Sequence, residues 1–333
     1  MIVCKRMKIF TISKFLISGL MLAACTAQPA PGSLVQKIRL PMGYIPNVQY
    51  APYYVAVSKG YFAQENIELE FDYKFETDGV KLVGAGELPF AVVSGEQVVL
   101  ARAQGLPVKY FAQWYRQFPI ALITPQSANV KTLADLKGKK IGLPGLFGAT
   151  YIGWRALLAA NGLSEKDFDQ LAIGFTQVAA LQQGKVDAAV GYINNEPIVL
   201  ANAGFPVNVI DIGKTVSMVA NGMMTSDKTI NENPALVRGM ARAVFRGVQD
   251  TIANPEEAMQ ITTKYVEGLK ADDAVQKKVL LATIELMRTP TGEKPGASSA
   301  QAWDNTQSTL ITMGQVKTKL NVTELFTNEF LPK

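Results

Sequence analysis

Short β-rich runs alternate with longer helical patterns between residues 37 and 216, and this alternation restricts the chain to few folds. Gly, Pro or Asn bounds most of the β-rich runs, as is typical of strands that end in turns. A repeated order of strand, helix and strand predicts parallel sheets covered by helices, which is the α/β class. From residue 227 onward the pattern is helical.

This pattern predicts the following elements and lobes. Strands are predicted at residues 37–42, 67–73, 90–93, 108–114, 120–124, 140–143, 173–176, 188–192 and 207–212. Helices are predicted at residues 49–59, 80–85, 96–104, 133–137, 150–161, 178–183, 197–203, 234–253, 255–265, 272–287 and 300–313. Extended apolar stretches at 118–124 and 218–225 are interpreted as two hinge crossings. Lobe one then comprises residues 35–120 plus 222–333, lobe two comprises residues 121–221, and a cleft lies between them.

The N-terminus has the order of an export signal, with a basic segment, an apolar run over residues 15–22 and then Ala23-Ala24-Cys25. The apolar run is far shorter than the roughly 20 residues that span a bilayer. The sequence around Cys25 resembles the bacterial lipobox, in which the Cys thiol is alkylated with diacylglycerol. An ordinary secretory signal, which leaves the mature protein free in solution, is the alternative.

Cysteine usage favours the lipid-anchored alternative. Removal of a signal peptide over residues 1–24 takes away Cys4 and leaves Cys25 without a disulfide partner. Acylation would account for that single thiol. Residues 25–34 have the Pro, Gly and small polar content of a flexible tether, which would hold the domain off the membrane.

The charge of the chain argues against nucleic acid as a partner. The formal net charge is +5, but four cations of the signal segment have no acidic counterpart, so the mature chain carries 5 − 4 = +1. No cluster of Lys and Arg with interleaved aromatic residues follows. The remaining chain of about 300 residues is long enough for two lobes.

Polar and small residues follow several predicted strands, where ligands bind in open α/β sheets. These corners begin at Pro46, Thr77, Ser94, Gly145 and Asn194. Helix capping explains each corner taken alone, and Ser94 with a Gln three residues later fits a capping box. Repetition in both predicted lobes favours a lined cleft. The corner at Gly145 would present backbone N–H groups to a polar ligand, although it lacks the Lys of a P-loop.

Aromatic residues lie near the same corners. Most of them, including Tyr53 and Tyr54, are expected in the core, whereas rings at strand ends can stack on a planar ligand. The predicted ligand-binding residues are Asn47, Tyr50, Thr77, Ser94, Glu96, Trp114, Tyr115, Phe147, Gly148, Thr150, Tyr151, Tyr192, Asn195 and Glu196.

The chain contains no His. This excludes Ser-His-Asp and Cys-His nucleophile systems and His-ligated zinc. Glu87, Glu96 and Glu196 lie near proposed corners, but their spacing does not indicate a pair of catalytic carboxylates. We therefore predict no catalytic residue, no metal site and no cofactor.

Several motifs resemble substrate-binding proteins related to thiamine-pyrimidine precursor synthases. They lie at residues 43–47 (GYIPN), 52–56 (PYYVA), 60–62 (GYF), 133–142 (LADLKGKKIG) and 184–189 (GKVDAA). The resemblance spans nearly the whole mature chain. It implies a type II periplasmic-binding-protein fold, in which two α/β lobes are joined by two hinge crossings, and delivery of a small solute to an ABC importer permease.

Relatives of this kind carry formylaminopyrimidine or riboflavin, and residues 145–153 and 191–197 look closest to the riboflavin-type carriers. The sequence thus predicts a riboflavin receptor that is a monomer and is anchored by a lipid to the extracytoplasmic face of the cell membrane. A thiamine pyrimidine precursor is the alternative ligand. A precursor synthase is disfavoured, because that branch uses its own His and a Cys-rich segment. A lipoprotein that only presents a surface to another protein is the third alternative.

Overall fold

The computed structural model describes Met1 and residues 35–332. Apart from Met1, the predicted signal segment, Cys25 and the tether lie outside the described residues. The strands are β1 (Gln36–Pro41), β2 (Ile67–Asp72), β3 (Phe90–Ser94), β4 (Val108–Gln113), β5 (Ile120–Pro125), β6 (Lys140–Leu143), β7 (Asp169–Ala172), β8 (Ala188–Tyr192), β9 (Val207–Asp211) and β10 (Asn221–Ser226).

Helices pack on the sheets. They are α1 (Ala51–Ser58), α2 (Tyr61–Gln64), α3 (Glu76–Gly84), α4 (Gly95–Ala103), α5 (Gly148–Ala160), α6 (Gln177–Gln182), α7 (Glu196–Asn202), α8 (Ile212–Thr215), α9 (Asp227–Glu232), α10 (Pro234–Ala253), α11 (Pro255–Thr262), α12 (Ala274–Met287), α13 (Ala300–Thr312) and α14 (Val322–Leu325). Short 3₁₀ helices lie at Val48–Tyr50, Gln126–Ala128, Leu133–Leu136 and Glu165–Asp167. None of the helices within residues 35–332 is long and apolar enough to cross a bilayer.

The strands form two groups, which define the two lobes of the fold. In lobe one, β1 pairs in parallel with β2, and β10 lies between β3 and β4. In lobe two, a five-stranded sheet has the order β7-β6-β8-β5-β9. Helices α5, α6 and α8 pack on this five-stranded sheet. The structure therefore has the α/β architecture that the alternating pattern predicts.

The chain passes between the lobes twice. Residues 114–119 connect β4 to β5, and residues 216–220 lead from α8 to β10. Most of the two stretches that we interpreted as hinges belongs instead to the strands β5 and β10, because both stretches are apolar enough to be buried in a sheet. The lobe boundaries proposed from the sequence stay a prediction.

Two expectations about the sheets are wrong. The strand expected at residues 173–176 is β7, which ends at Ala172 because it pairs with β6, and Gly174 turns the chain with a φ of +61°. The sheets are also not purely parallel. Strand β10 is antiparallel to β3 and β4, and β5 is antiparallel to β8 and β9.

A close helix contact stabilises lobe one. Helix α10 packs on α1, where Tyr53 and Tyr54 are buried, as expected from the apolar face of that helix. A Cβ atom at Gly247 would lie 2.1 Å from the carbonyl oxygen of Pro52. The two helix backbones approach this closely only because residue 247 has no side chain.

We predict that Gly247→Ala destabilises the protein, although Ala is the better helix former. The added methyl group must push α1 and α10 apart, at a cost of about 1–3 kcal/mol in the free energy of unfolding. Chemical denaturation monitored by circular dichroism measures this loss. Gly239→Ala on the same helix is the matched control, because its Cβ would meet only the Glu65 side chain, at 3.1 Å. Equal stabilities for the two variants would contradict the prediction.

Candidate ligand-binding cleft

A cleft lies between the two lobes, at the ends of their strands. The space between its lining atoms is about 750 Å³, counting the solvent at the mouth. Its lining residues are Met42, Gly43, Tyr44, Gln49, Tyr50, Phe75, Glu76, Val92, Trp114, Tyr115, Pro144, Phe147, Gly148, Ala149, Thr150, Phe175, Gln177, Tyr192, Glu196 and Asn221.

Three aromatic rings form a column on the wall of lobe one. Trp114 stacks on Tyr115 with ring centroids 4.3 Å apart, and it stacks on Tyr50 with centroids 5.6 Å apart. All three side chains are buried. Trp114 and Tyr115 belong to the first connection between the lobes, directly after β4. Stacked aromatic surface of this kind suits a flat ligand.

A second aromatic group closes the cleft from both lobes. Tyr44 and Phe75 of lobe one contact Phe175 of lobe two with centroid distances of 4.8 and 4.9 Å, and Phe75 also meets Phe147 edge to face at 4.9 Å. Phe147 is among the few large apolar side chains that are exposed. Because these rings touch across the cleft, they must separate for a ligand to enter or leave.

Hydrogen bonds also join the lobes. The amide group of Asn194 donates to Gln49 Oε1 at 2.9 Å and to Thr283 Oγ1 at 2.8 Å. The Asn221 amide donates to the Tyr192 hydroxyl at 3.1 Å. The side-chain oxygen of Asn221 is buried and has no hydrogen-bond partner within the described residues. An unsatisfied acceptor at the cleft wall is suited to a ligand N–H group.

The carboxylate of Glu76 is the centre of a second polar network. Its Oε2 accepts hydrogen bonds from the Ser94 N–H at 3.0 Å and from the Ser94 hydroxyl at 2.9 Å, while Oε1 accepts one from the Ala149 N–H at 2.6 Å. Ser94 lies in lobe one and Ala149 in lobe two. Burial raises the pKa of Glu76, and the donors from Ser94 and Ala149 oppose that rise.

The neighbouring Glu96 is fully buried behind the cleft wall. Its Oε1 contacts the Ser94 hydroxyl, and its Oε2 has no hydrogen-bond partner within the described residues. Burial, followed by the negative charge of Glu76, raises the pKa of Glu96 to about 8. Because one hydroxyl proton cannot serve two carboxylates, we assign the acid proton to Glu96 and the negative charge to Glu76 at neutral pH.

A third buried carboxyl group lies on the lobe two side. Glu196 begins helix α7, and its Oε2 accepts a hydrogen bond from the Tyr192 N–H at 2.8 Å. Burial raises the pKa of Glu196. Burial, with the nearby Glu196 as a second cause, also raises the pKa of the Tyr44 hydroxyl well above its ordinary range. No three His, Cys, Asp or Glu side chains come together as metal ligands within residues 35–332.

The structure brings many of the predicted ligand-binding residues to the cleft. Those among its lining are Tyr50, Trp114, Tyr115, Phe147, Gly148, Thr150, Tyr192 and Glu196. Asn195 and Glu96 lie just behind it: Asn195 donates to the Tyr44 hydroxyl at 3.4 Å, and Ser94 links Glu96 to Glu76. A direct contact between ligand and any of these side chains stays a prediction.

The other predicted residues lie outside the lining. Asn47 caps the 3₁₀ helix that follows it, because its Oδ1 accepts from the Gln49 N–H at 3.0 Å. Thr77 lies within α3, which begins at Glu76, and Tyr151 packs beside Arg155 on α5. Ser94 does not form the expected capping box, because its hydroxyl is engaged by Glu76 and Glu96.

The sequence did not identify several lining residues, among them Glu76, Phe175, Gln177 and Asn221. Phe175 and Gln177 follow β7, which we placed four residues too late. Asn221 lies in the stretch that we interpreted as a hinge. Glu76 immediately precedes Thr77, and this place beside a predicted corner is the signal that the sequence offers for it.

We predict that ionisation of Glu96 weakens the fold as the pH rises. The pKa of Glu96 is higher in the folded protein than its ordinary value of 4.5. The raised pKa therefore adds to the free energy of unfolding. This stabilisation is fully present below pH 4.5 and is lost as the pH rises through about 8. Glu96→Gln cannot ionise, so its melting temperature should fall less than that of the unmodified protein across this window.

Thermal unfolding at several pH values between 5 and about 9 measures this difference. Glu87→Gln, at an exposed position, is the control and should follow the unmodified protein. Identical pH profiles for the unmodified protein and Glu96→Gln would contradict the assignment.

Known proteins resemble this chain over most of its length. It is 40% identical to the riboflavin-binding protein RibY of Chloroflexus aurantiacus, over 93% of this chain and 91% of that protein. It is 27% identical to a formylaminopyrimidine-binding protein of Halalkalibacterium halodurans, over 91% and 94% of the two chains. A 4-amino-5-hydroxymethyl-2-methylpyrimidine phosphate synthase of Legionella pneumophila is 24% identical, over 91% and 95%.

Solved structures show the same fold at lower identity. The alkanesulfonate-binding protein SsuA of Xanthomonas axonopodis superposes with a TM-score of 0.70 at 17% identity, over 89% of this chain and 99% of that one. Residues 47–258 match the family model described as NMT1/THI5 like. With the type II periplasmic-binding-protein fold and this match over most of the described residues, the chain belongs to the NMT1/THI5-like family.

Proposed function

We propose that this protein is the extracytoplasmic solute-binding component of an ABC importer and that its cleft binds riboflavin. The resemblance to a riboflavin-binding protein over 93% of the chain supports the ligand class. The fold supports the mode of action, because two lobes joined by two short connections can close on a solute. A ligand favours the closed form by contacting both lobes at once.

The aromatic column of Tyr50, Trp114 and Tyr115 is the observation that supports a flat heterocycle as the ligand. Tyr50, Trp114 and Tyr115 present stacked ring surface at one wall of the cleft. An isoalloxazine ring system is flat, apolar at its dimethylbenzene end and polar at its pyrimidine end. The apolar end suits the cluster of Phe75, Phe147 and Phe175, which also lines the cleft.

The polar end of a flavin has an imide N–H group between two carbonyl groups. The unsatisfied Oδ1 of Asn221 offers the acceptor that such an N–H group needs. The Tyr192 hydroxyl is beside it, so donor and acceptor groups lie together. The hydroxyl groups of a ribityl chain would find the polar side chains of Gln177, Thr150 and Glu196 along the same cleft.

Capture, not catalysis, is the role that these groups favour. The buried carboxyl groups of Glu76 and Glu196 are hydrogen-bonded to backbone N–H groups that hold them in place. Synthases occur among the relatives, but the chain has no His with which to supply the chemistry that the family resemblance implies for them. We therefore propose that the protein is not an enzyme.

Anchoring to the membrane is part of the same proposal. The order of basic segment, short apolar run and Ala23-Ala24-Cys25 supports cleavage before Cys25 and acylation of its thiol. The tether that follows would let the receptor reach an ABC permease. We propose that the receptor acts as a monomer.

The first test is a fluorescence titration of the purified protein with riboflavin. Stacking on Trp114 and Tyr115 should quench the flavin at a one-to-one ratio, with a Kd at or below about 10 µM. Asn221→Ala removes the acceptor for the imide group, and we expect it to weaken binding roughly 5- to 150-fold, or about 1–3 kcal/mol. Asn208→Ala, at an exposed position on β9, is the matched control and should bind like the unmodified protein.

The other outcomes separate the alternatives. Absence of quenching, with binding of a formylaminopyrimidine measured by calorimetry, would replace the flavin by the smaller heterocycle and keep the receptor. Absence of binding by either ligand would contradict the proposed ligand class. Native mass spectrometry of protein from the producing cell then shows whether another small molecule occupies the cleft.

The anchor is tested by Cys25→Ala in a bacterial host that lipidates exported proteins. We expect the unmodified protein in the membrane fraction and the variant in the soluble extracytoplasmic fraction, because a thiol is needed for acylation. Intact-mass measurement of the membrane form should show the added diacylglycerol. A soluble, unacylated parent protein would support the ordinary secretory signal instead.

A further inference from the structure

Three helices begin at the side chain of Glu76. Glu76 is the first residue of α3, Ser94 is the N-cap of α4, and Ala149 is the second residue of the 13-residue helix α5. The N–H groups of Ser94 and Ala149 donate to the two Glu76 carboxylate oxygens. Free N–H groups and the helix dipole make such a position attractive to an anion. In this protein the anion is a side chain of the chain itself.

The backbone around Glu76 is fitted to this carboxylate. Gly148 has a φ of +76°, and a Cβ atom there would lie 3.1 Å from Glu76 Oε1. A Cβ atom at Gly43, where φ is +82°, would lie 3.2 Å from the Cβ of Glu76. Both glycines line the cleft, so the chain passes closely around Glu76 on two sides. The carboxylate is thus held tightly in one position.

The charged residues that line the cleft also disfavour an anionic ligand. Glu76 and Glu196 are the charged residues among its lining, and both are acidic; no Lys or Arg side chain lines the described cleft. A phosphate or sulfonate group on a ligand would find the α5 N-terminus already filled. It would also be buried close to a negative charge without a cation to neutralise it, which is costly.

We infer that Glu76 is a specificity-determining residue, which fills the anion-binding position at the start of α5 and so excludes ligands that carry a phosphate or sulfonate group. For a flavin ligand, the protein would accept riboflavin and reject riboflavin 5′-phosphate. This inference rests on the proposed function for the choice of flavin, whereas the exclusion of anions rests on the geometry of Glu76 and on the charges of the lining residues.

The test is the ratio of the two dissociation constants, for riboflavin 5′-phosphate and for riboflavin, measured by calorimetry at pH 7. Glu76→Gln keeps the shape of the side chain and one oxygen acceptor but removes the charge. We expect the ratio to fall by at least about tenfold in this variant, because a like-charge contact is lost. Glu87→Gln removes an exposed charge and should leave the ratio unchanged. An unchanged ratio in a folded Glu76→Gln protein would overturn the inference.

A second measurement needs no variant. Riboflavin 5′-acetate has bulk at the same position as the phosphate ester but no charge. If its charge is the reason that the phosphate ester is rejected, the unmodified protein should bind the acetate at least about tenfold more tightly than the phosphate. Equal rejection of both esters would show that the size of the 5′ group, and not its charge, prevents binding. That result would overturn the inference even if Glu76→Gln failed to fold.

A third measurement separates this inference from the flavin proposal. Inorganic sulfate is the probe, with chloride at equal ionic strength as the reference. Sulfate should raise the melting temperature of Glu76→Ala, which empties the position beside the Ala149 N–H, more than that of the unmodified protein or Glu87→Gln. If riboflavin fails to bind but this difference is found, the proposed ligand is wrong and the exclusion of anions holds. If the sulfate effect is the same in all three proteins, the vacated position does not bind anions, and the inference is wrong.

Discussion

The pairing of β10 between β3 and β4 is the contact on which the rest of the structure depends. This strand brings the chain back from lobe two and inserts it, antiparallel, into the sheet of lobe one. Lobe two is therefore an insertion whose two ends lie side by side, and the cleft lies beside those ends. Asn221, the first residue of β10, carries the unsatisfied acceptor in the cleft wall.

Much of the fold could be predicted from the sequence, because strands with strong apolar runs have an unmistakable pattern. The run FAVVS of β3 is buried at every position and was found within one residue of its true end. Strand β7 was misplaced, because its four residues, Asp169–Ala172, lie at an edge of the sheet, none of them is buried, and two of them are polar. Its position depends on pairing with β6, which local sequence does not record.

The candidate site was predicted only in part, because some of its residues owe their role to contacts with distant parts of the chain. Aromatic residues at strand ends, such as Trp114 and Tyr192, could be found from their place in the chain. Glu76 could not be distinguished from an ordinary first-turn acidic residue of a helix. Its role depends on Ala149, which is 73 residues away and belongs to the other lobe. Contacts between the lobes depend on how the two lobes meet in space, and hydrophobic periodicity in the sequence cannot predict them.

The aromatic column has a kinetic consequence, because Trp114 and Tyr115 are part of the connection between the lobes. Trp114 also stacks on Tyr50 of lobe one, so separation of the lobes leaves this column intact. Phe147 and Phe175 belong to lobe two and contact Phe75 of lobe one, so these contacts break if the lobes separate. Capture should then proceed in two steps, a rapid encounter on the column and a slower enclosure. For the ligand that we propose, the residence time would then depend on how often the outer rings separate.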